Sequence, residues 1–183
     1  MPETNHHPID EQIAPRDNVL LTGFMGTGKT TVGRILAELL NYVFVDTDEL
    51  IEQRHGPIPQ LFSMRGEPHF RELEYDLAIE LSDLDNQVIS TGGSFLLDPA
   101  NLAILAKTSR VFCLTATADE IFARIVTDPT ASERPLLSGA DPYQRIVELL
   151  AERAAGYGAF TQISTSDLSP QVIAQEIYAA CSI

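Results

Sequence analysis

The chain predicts an α/β protein of three layers, α/β/α, built on a five-stranded parallel sheet. Three observations carry that expectation. Short apolar runs alternate with amphipathic helical stretches almost from end to end, the pattern of a parallel sheet covered on both faces. A glycine-rich segment at 23–30 joins the first apolar run to the first helical stretch. Finally, 183 residues with 44% apolar and 21% charged content suffice for one domain with a sizeable core and require no second.

Taken in order, residues 1–16 read as a flexible polar tail. His6 and His7 within it amount to no metal site by themselves. Residues 17–183 then form the single domain. Strands are expected at 18–22, 42–46, 87–91, 110–115 and 162–165. Helices are expected at 29–40, 48–54, 59–62, 68–81, 99–106, 118–126, 143–155 and 170–180. The last has Ser169 as its N-cap and Pro170 at its first helical position, a strong start signal. The stretch 127–142 breaks the rhythm with three prolines and few periodic apolar residues. Long loops in compact domains are often active-site lids; the ordinary alternative is a surface connection.

Charge and cysteine usage narrow the partners. A net charge of −14 argues against nucleic acid or an anionic membrane, both of which call for basic patches. No apolar run approaches the ~18 residues of a membrane span, and the first residues have neither the basic region nor the apolar core of a signal peptide. Cys113 and Cys181 read as reduced thiols of a cytoplasmic protein, with neither a disulfide framework nor a zinc site. Any anionic ligand must be met by a few concentrated cations, drawn from only twelve lysines and arginines.

The segment Gly-Phe-Met-Gly-Thr-Gly-Lys-Thr at 23–30 fits G-x-x-x-x-G-K-[ST], the loop that wraps nucleotide phosphates. Gly23, Gly26 and Gly28 let the backbone curl until its N–H groups point inward, and Thr27 and Thr31 flank the nest formed with the helix N-terminus. Lys29 reaches the β/γ-phosphates and the Thr30 hydroxyl ligates Mg²⁺. The alternative is an ordinary glycine-rich turn. The expectation is binding of ATP or GTP.

What is done with the phosphate depends on other residues. The third strand carries Ser90 and Thr91 where a metal-supporting aspartate often stands, so Asp46, closing the second strand, becomes the candidate for water-mediated support of Mg²⁺. Asp48 lies two residues on; in an extended segment both carboxylates face one cleft, and the alternative is that Asp48 caps a helix. Gly92-Gly93 after a strand suggests close backbone approach to a ligand or another segment. Arg71 and Glu74 stand at i, i+3. The ordinary reading is a surface ion pair of small worth; the sharper one is an arginine held so that its fork grips a carboxylate.

In their order and spacing, these segments resemble the shikimate kinase family. The resemblance rests on Leu-Thr-Gly-Phe-Met-Gly-Thr-Gly-Lys-Thr-Thr-Val-Gly-Arg at 21–34, Asp-Thr-Asp-Glu-Leu-Ile-Glu at 46–52 and Ile-Pro-Gln-Leu-Phe at 58–62. It continues with Phe-Arg-Glu-Leu-Glu at 70–74, Ile-Ser-Thr-Gly-Gly at 89–93 and Arg-Pro-Leu-Leu at 134–137. Each motif is modest; the ordered set, running over about 18–180, is specific.

The resemblance implies a P-loop kinase fold with a mobile lid, and transfer of the γ-phosphate of ATP to the 3-hydroxyl of shikimate with Mg²⁺. Asp48 would orient that hydroxyl and accept its proton. Arg71 and Arg153 would clamp the shikimate carboxylate, steadied by Glu74. Gly92 and the Gly93 N–H would meet the substrate. Lys29 and Arg134, the latter in the lid, would offset charge on the phosphates. The loop 166–170, ending at Pro170, would flank the adenine, with Arg124 a candidate to stack on it. A monomer is expected.

Three departures from the family pattern stand out. Ser94 replaces the usual third glycine, which perturbs the site if that position needs φ > 0 and otherwise supplies a hydroxyl. The usual Arg-x-Pro-Leu-Tyr reads Arg-Ala-Ala-Gly-Tyr at 153–157, loosening the turn between arginine and tyrosine. The lid approach at 127–133 is longer. A kinase for another hydroxy acid such as gluconate is the neighbouring alternative, which Asp48, Arg71 and Arg153 argue against. A catalytically silent nucleotide-binding relative should have lost Lys29, Asp48 or a clamp arginine, and this chain has lost none.

Overall fold

Alternate residues of the central strand part to opposite faces of one sheet. In β1 (Asn18–Thr22), Val19 and Leu21 enter one apolar cluster while Leu20 enters another, and all three are buried. A computed structural model describes residues 18–127 and 141–181. The tail expected at 1–16 and most of the lid expected at 127–142, Arg134 included, lie outside the described residues.

The remaining strands are β2 (Val43–Asp46), β3 (Gln87–Ser90), β4 (Ser109–Thr115) and β5 (Thr161–Ser164). All pairings are parallel, in the order β2-β3-β1-β4-β5. The chain therefore leaves β1 first toward one edge and later toward the other, which makes the C-terminal end of β1 the switch point where such sheets bind ligands. The helices are α1 (Lys29–Leu40), α2 (Thr47–His55), α3 (Ile58–Ser82), α4 (Pro99–Leu105), α5 (Ala118–Thr127), α6 (Pro142–Tyr157) and α7 (Pro170–Cys181). None of the described helices is long and apolar enough to cross a membrane.

Both sheet faces are covered, as the alternating pattern requires. Val32, Leu36 and Ala37 of α1 and Ile173, Ala174 and Ile177 of α7 pack under Val19, Leu21, Phe112 and Leu114. On the other face, Leu77, Ala78 and Leu81 of α3 and Leu105 of α4 cover Leu20 and Ile89. Beside them Ile121 and Ile125 of α5 and Ile146 and Leu149 of α6 enclose Phe24 and Cys113. Edge strand β2 is the exception: Val43 is 61% exposed.

All five expected strands are present, with small shifts at their ends. The start of α7 is as expected, Ser169 accepting from the Val172 N–H at 3.4 Å. The helices expected at 59–62 and 68–81 meet in α3, broken only at Gly66 (φ 78°, ψ 170°), a backbone conformation that disfavours any side chain. A short 3₁₀ turn, Phe95–Leu97, was not expected; three residues are too few to show a period. The loosened turn expected near 153–157 is instead helix: α6 runs through to Tyr157. There Gly156 lets it approach the 3₁₀ turn, since a methyl at that position would lie 2.6 Å from Leu97 Cδ2.

Candidate active site

The loop between β1 and α1 is held open by its own hydrogen bonds. Lys29 Nζ donates to the carbonyls of Gly23 at 2.9 Å and Phe24 at 3.0 Å, and Thr27 Oγ1 donates to the same Phe24 carbonyl at 2.7 Å. Gly23 has φ 128°, and a Cβ there would collide with the Leu114 carbonyl oxygen. The loop thus needs bare backbone where it crosses β4. Gly28, also at positive φ, leads into α1, whose first turn holds Thr30 and Thr31 and whose N–H groups favour anions.

Thr30 Oγ1 donates to Asp46 Oδ2 at 2.8 Å, joining the loop to the end of β2. The other carboxylate oxygen of Asp46 accepts the N–H groups of Asp48 and Glu49 at 3.1 and 3.3 Å. Two expectations are corrected here. The N-cap of α2 is Asp46, not Asp48. The two aspartates are not partners in an extended strand either, because the chain turns helical at Thr47. They still share a cavity of about 540 Å³, brought together by the cap.

Thr47, wholly buried, went unnoticed in the sequence between its two acids. Its hydroxyl accepts the Gly92 N–H at 3.0 Å, tying the loop after β3 to the start of α2. Asp48 is consequently pressed against Gly92: a methyl on Gly92 would lie 2.6 Å from Asp48 Oδ1 and 3.4 Å from Glu74 Oε1. Burial pushes the Asp48 carboxyl up to about 6, Asp46 adding to the shift and Lys29 opposing it.

The Arg71–Glu74 pair lies below the surface rather than on it. Glu74 is only 1% exposed and accepts from Arg71 Nη1 at 2.5 Å. Burial pushes Glu74 up to about 7 against the opposing pull of Arg71. Glu67 takes Arg71 Nε and Nη2 at 3.2 and 2.7 Å. Of the five guanidinium N–H groups these bonds use three, leaving one on each terminal nitrogen. Arg153 approaches from α6, Nη1 lying 3.3 Å from where a Gly93 Cβ would stand. Its guanidinium carbon is 5.6 Å from the Phe24 ring centroid.

Lys29, Arg71 and Arg153 thus line one cavity, although the whole acidic chain has only twelve lysines and arginines. Ser94 lines it as well, at φ −107° and ψ −1°, so its position makes no demand for glycine. Among the described residues no group of three or more His, Cys, Asp or Glu side chains could hold a metal ion. The oxygens of Thr30 and Asp46 fit Mg²⁺, which takes one or two protein ligands and completes its shell with water and phosphate.

On the far side of the loop, Arg124 Nη1 donates to the Gly26 carbonyl at 3.2 Å and to Thr165 Oγ1 at 3.0 Å, and Nη2 to the Thr165 carbonyl at 3.0 Å. Ser166 Oγ donates to Glu120 at 2.6 Å. Through Arg124, Thr165 at the end of β5 is tied to the phosphate loop at Gly26, and Glu120 of the same helix holds Ser166.

Comparison with known proteins matches a family model described as shikimate kinase to residues 25–182. A shikimate kinase of Caldicellulosiruptor saccharolyticus is 43% identical over 162 residues, 87% of this chain and 92% of that one. Another, of Caldanaerobacter subterraneus subsp. tengcongensis, is 42% identical over 89% of this chain and 95% of its own length. Among solved structures, shikimate kinase from Acinetobacter baumannii in complex with shikimate superposes with a TM-score of 0.83 at 35% identity, covering 89% of this chain and 91% of that one.

Proposed function

This chain belongs to the shikimate kinase family, and we infer that it transfers the γ-phosphate of ATP to the 3-hydroxyl of shikimate, giving shikimate 3-phosphate and ADP. One observation carries the residue-level reading. A single cavity holds the phosphate-loop lysine, a carboxylate displaced toward neutral pH, and two arginines, one of them against Gly93.

The acceptor's carboxylate meets Arg71 and Arg153, with Glu74 and Glu67 fixing the aim of Arg71. The ring lies along Gly92 and Gly93, which brings its hydroxyl to Asp48. Asp48, pushed up to about 6, is still mostly ionised at neutral pH and accepts the hydroxyl proton as the oxygen attacks. Lys29 and the N–H groups of Gly26, Thr27, Gly28, Thr30 and Thr31 hold the nucleotide's phosphates. Arg134, outside the described residues, is assigned the offsetting of transition-state charge. Pro170 and the 166–170 loop border the base.

Mg²⁺ would be held by Thr30, with Asp46 supporting it through water, and when bound would supply charge neutralisation at the β- and γ-phosphates. Thr30 and Asp46 already face one another at 2.8 Å, so the oxygens such an ion needs are paired in advance. A monomer belongs to the same reading, as the family resemblance implies. Cytoplasmic location is part of the same reading, because the reaction draws on ATP.

The deciding experiment follows ADP release by purified protein with ATP and Mg²⁺, offering shikimate, gluconate or no acceptor. Release that depends on shikimate is expected. Release without it, or none with it, overturns the reading; retention of full rate in EDTA overturns the metal assignment.

A further inference from the structure

Tyr157 closes α6 with its hydroxyl donating to the Gly93 carbonyl at 2.7 Å, a bond between positions 64 residues apart. The phenol is buried, and burial raises it above its ordinary value with Arg153 opposing, so it stays protonated and able to donate. One helical turn earlier on the same side of α6 stands Arg153. From the place a Gly93 Cβ would take, Arg153 Nη1 is 3.3 Å away and Tyr157 Oη 3.6 Å. Both side chains therefore converge on one glycine.

Two further links make this a unit. Phe24 of the phosphate loop lies under the Arg153 guanidinium and shares a core cluster with Tyr157. The glycine at 156 brings the helix end against Leu97, just beyond Ser94. Because the peptide after Gly93 is trans, holding its C=O toward Tyr157 aims the Ser94 N–H away from α6.

We propose that Tyr157 is a positioning residue for the acceptor's carboxylate, its hydroxyl locking the Gly93 peptide and Arg153 into one fixed arrangement. It touches neither phosphate nor reacting oxygen; it acts through the two groups that do the recognising. The proposal rests on the reading above, in which Gly93 and Arg153 meet shikimate. It also bears on the departure at 153–157: because α6 continues through Tyr157, the arginine and the tyrosine stay one helical turn apart on one side of it.

Tyr157→Phe tests it, deleting the hydroxyl while leaving the ring in its cluster. The KM for shikimate should rise roughly tenfold, the scale of one lost hydrogen bond, with kcat and the KM for ATP within about twofold. In an Arg153→Ala background the same change should raise the shikimate KM by clearly less than tenfold, since only the Gly93 arm remains for Tyr157 to act through and coupled residues are not additive. An unchanged shikimate KM overturns the proposal. So does a loss shared by both substrates alongside a lowered Tm, or an effect that multiplies fully with that of Arg153→Ala. A wild-type protein without shikimate-dependent ADP release would instead remove the underlying function, so the two failures are told apart.

Discussion

The Gly92 N–H donates to the hydroxyl of Thr47 at 3.0 Å, so the loop after β3 is anchored to the residue immediately before Asp48. That bond sets a bare Cα against the carboxylate. The backbone of one loop and the side chain of another helix thus share space with no room for a methyl between them.

Gly92→Ala should therefore act on the acceptor half of the site. The added Cβ would lie 2.6 Å from Asp48 Oδ1, closer than real contacts allow, and Asp48 must move. We expect shikimate-dependent turnover to fall by ~100-fold, the scale of misplacing a catalytic group by about an ångström, while ATP affinity is kept. Steady-state kinetics with a parallel nucleotide titration measures both. Turnover within twofold of wild type would show that the close approach is not needed.

Asp48→Asn keeps the shape and removes the proposed proton acceptor. Turnover should drop by ~100-fold or more, as for loss of a general base, with nucleotide binding intact. A tenfold or smaller loss in single-turnover measurements would assign Asp48 to orientation alone.

Glu74→Gln should flatten the pH dependence of stability. The carboxyl is raised from 4.5 to about 7 on folding, chiefly by burial. The folded state therefore binds its proton more tightly than the unfolded one. The stabilisation is complete below about 4.5 and is lost as pH rises through about 7. Between pH 5 and 7.5 this group alone should cost the wild type about 2 kcal/mol. Urea unfolding at the two pH values should show a smaller difference in the variant; an equal one would mean that Glu74 is not protonated on folding.

Ser94→Gly should leave the kinetics nearly unchanged. Ser94 occupies φ −107° and makes no side-chain capping bond, so glycine relieves no strain. It should lower stability by ~0.5–1 kcal/mol through the freer unfolded chain. A severalfold rise in the shikimate KM would instead give the hydroxyl a direct role.

The phosphate loop was legible because its glycines, its lysine and its threonine each answer a local demand of backbone or charge, and local demands show in a string of letters. Asp46 was legible as the one aspartate closing an apolar run. The depth of Glu74 was not. An i, i+3 pair looks the same on a surface helix as on one pressed to a sheet, and it is the packing of Leu77, Ala78 and Leu81 with Leu20 and Ile89 that sets this helix on the sheet. Thr47 escaped because its partner is 45 positions away at Gly92. The run of α6 through Tyr157 was missed for a related reason: glycine at 156 suggests a break when read locally, yet it sits inside the helix where a methyl would meet Leu97 Cδ2.

The break at Gly66 divides α3 into two pieces with different duties. Ile58, Pro59 and Phe62, before it, give the cavity an apolar wall, while Arg71 and Glu74, after it, give it charge. Phe62 and Phe70 touch across the break, their ring centroids 5.0 Å apart. On the proposed reading, the acceptor's silhouette and its ionic character fall to separate segments, so mutations that remodel the wall for a bulkier ring need not disturb the arginine assigned to its acid group.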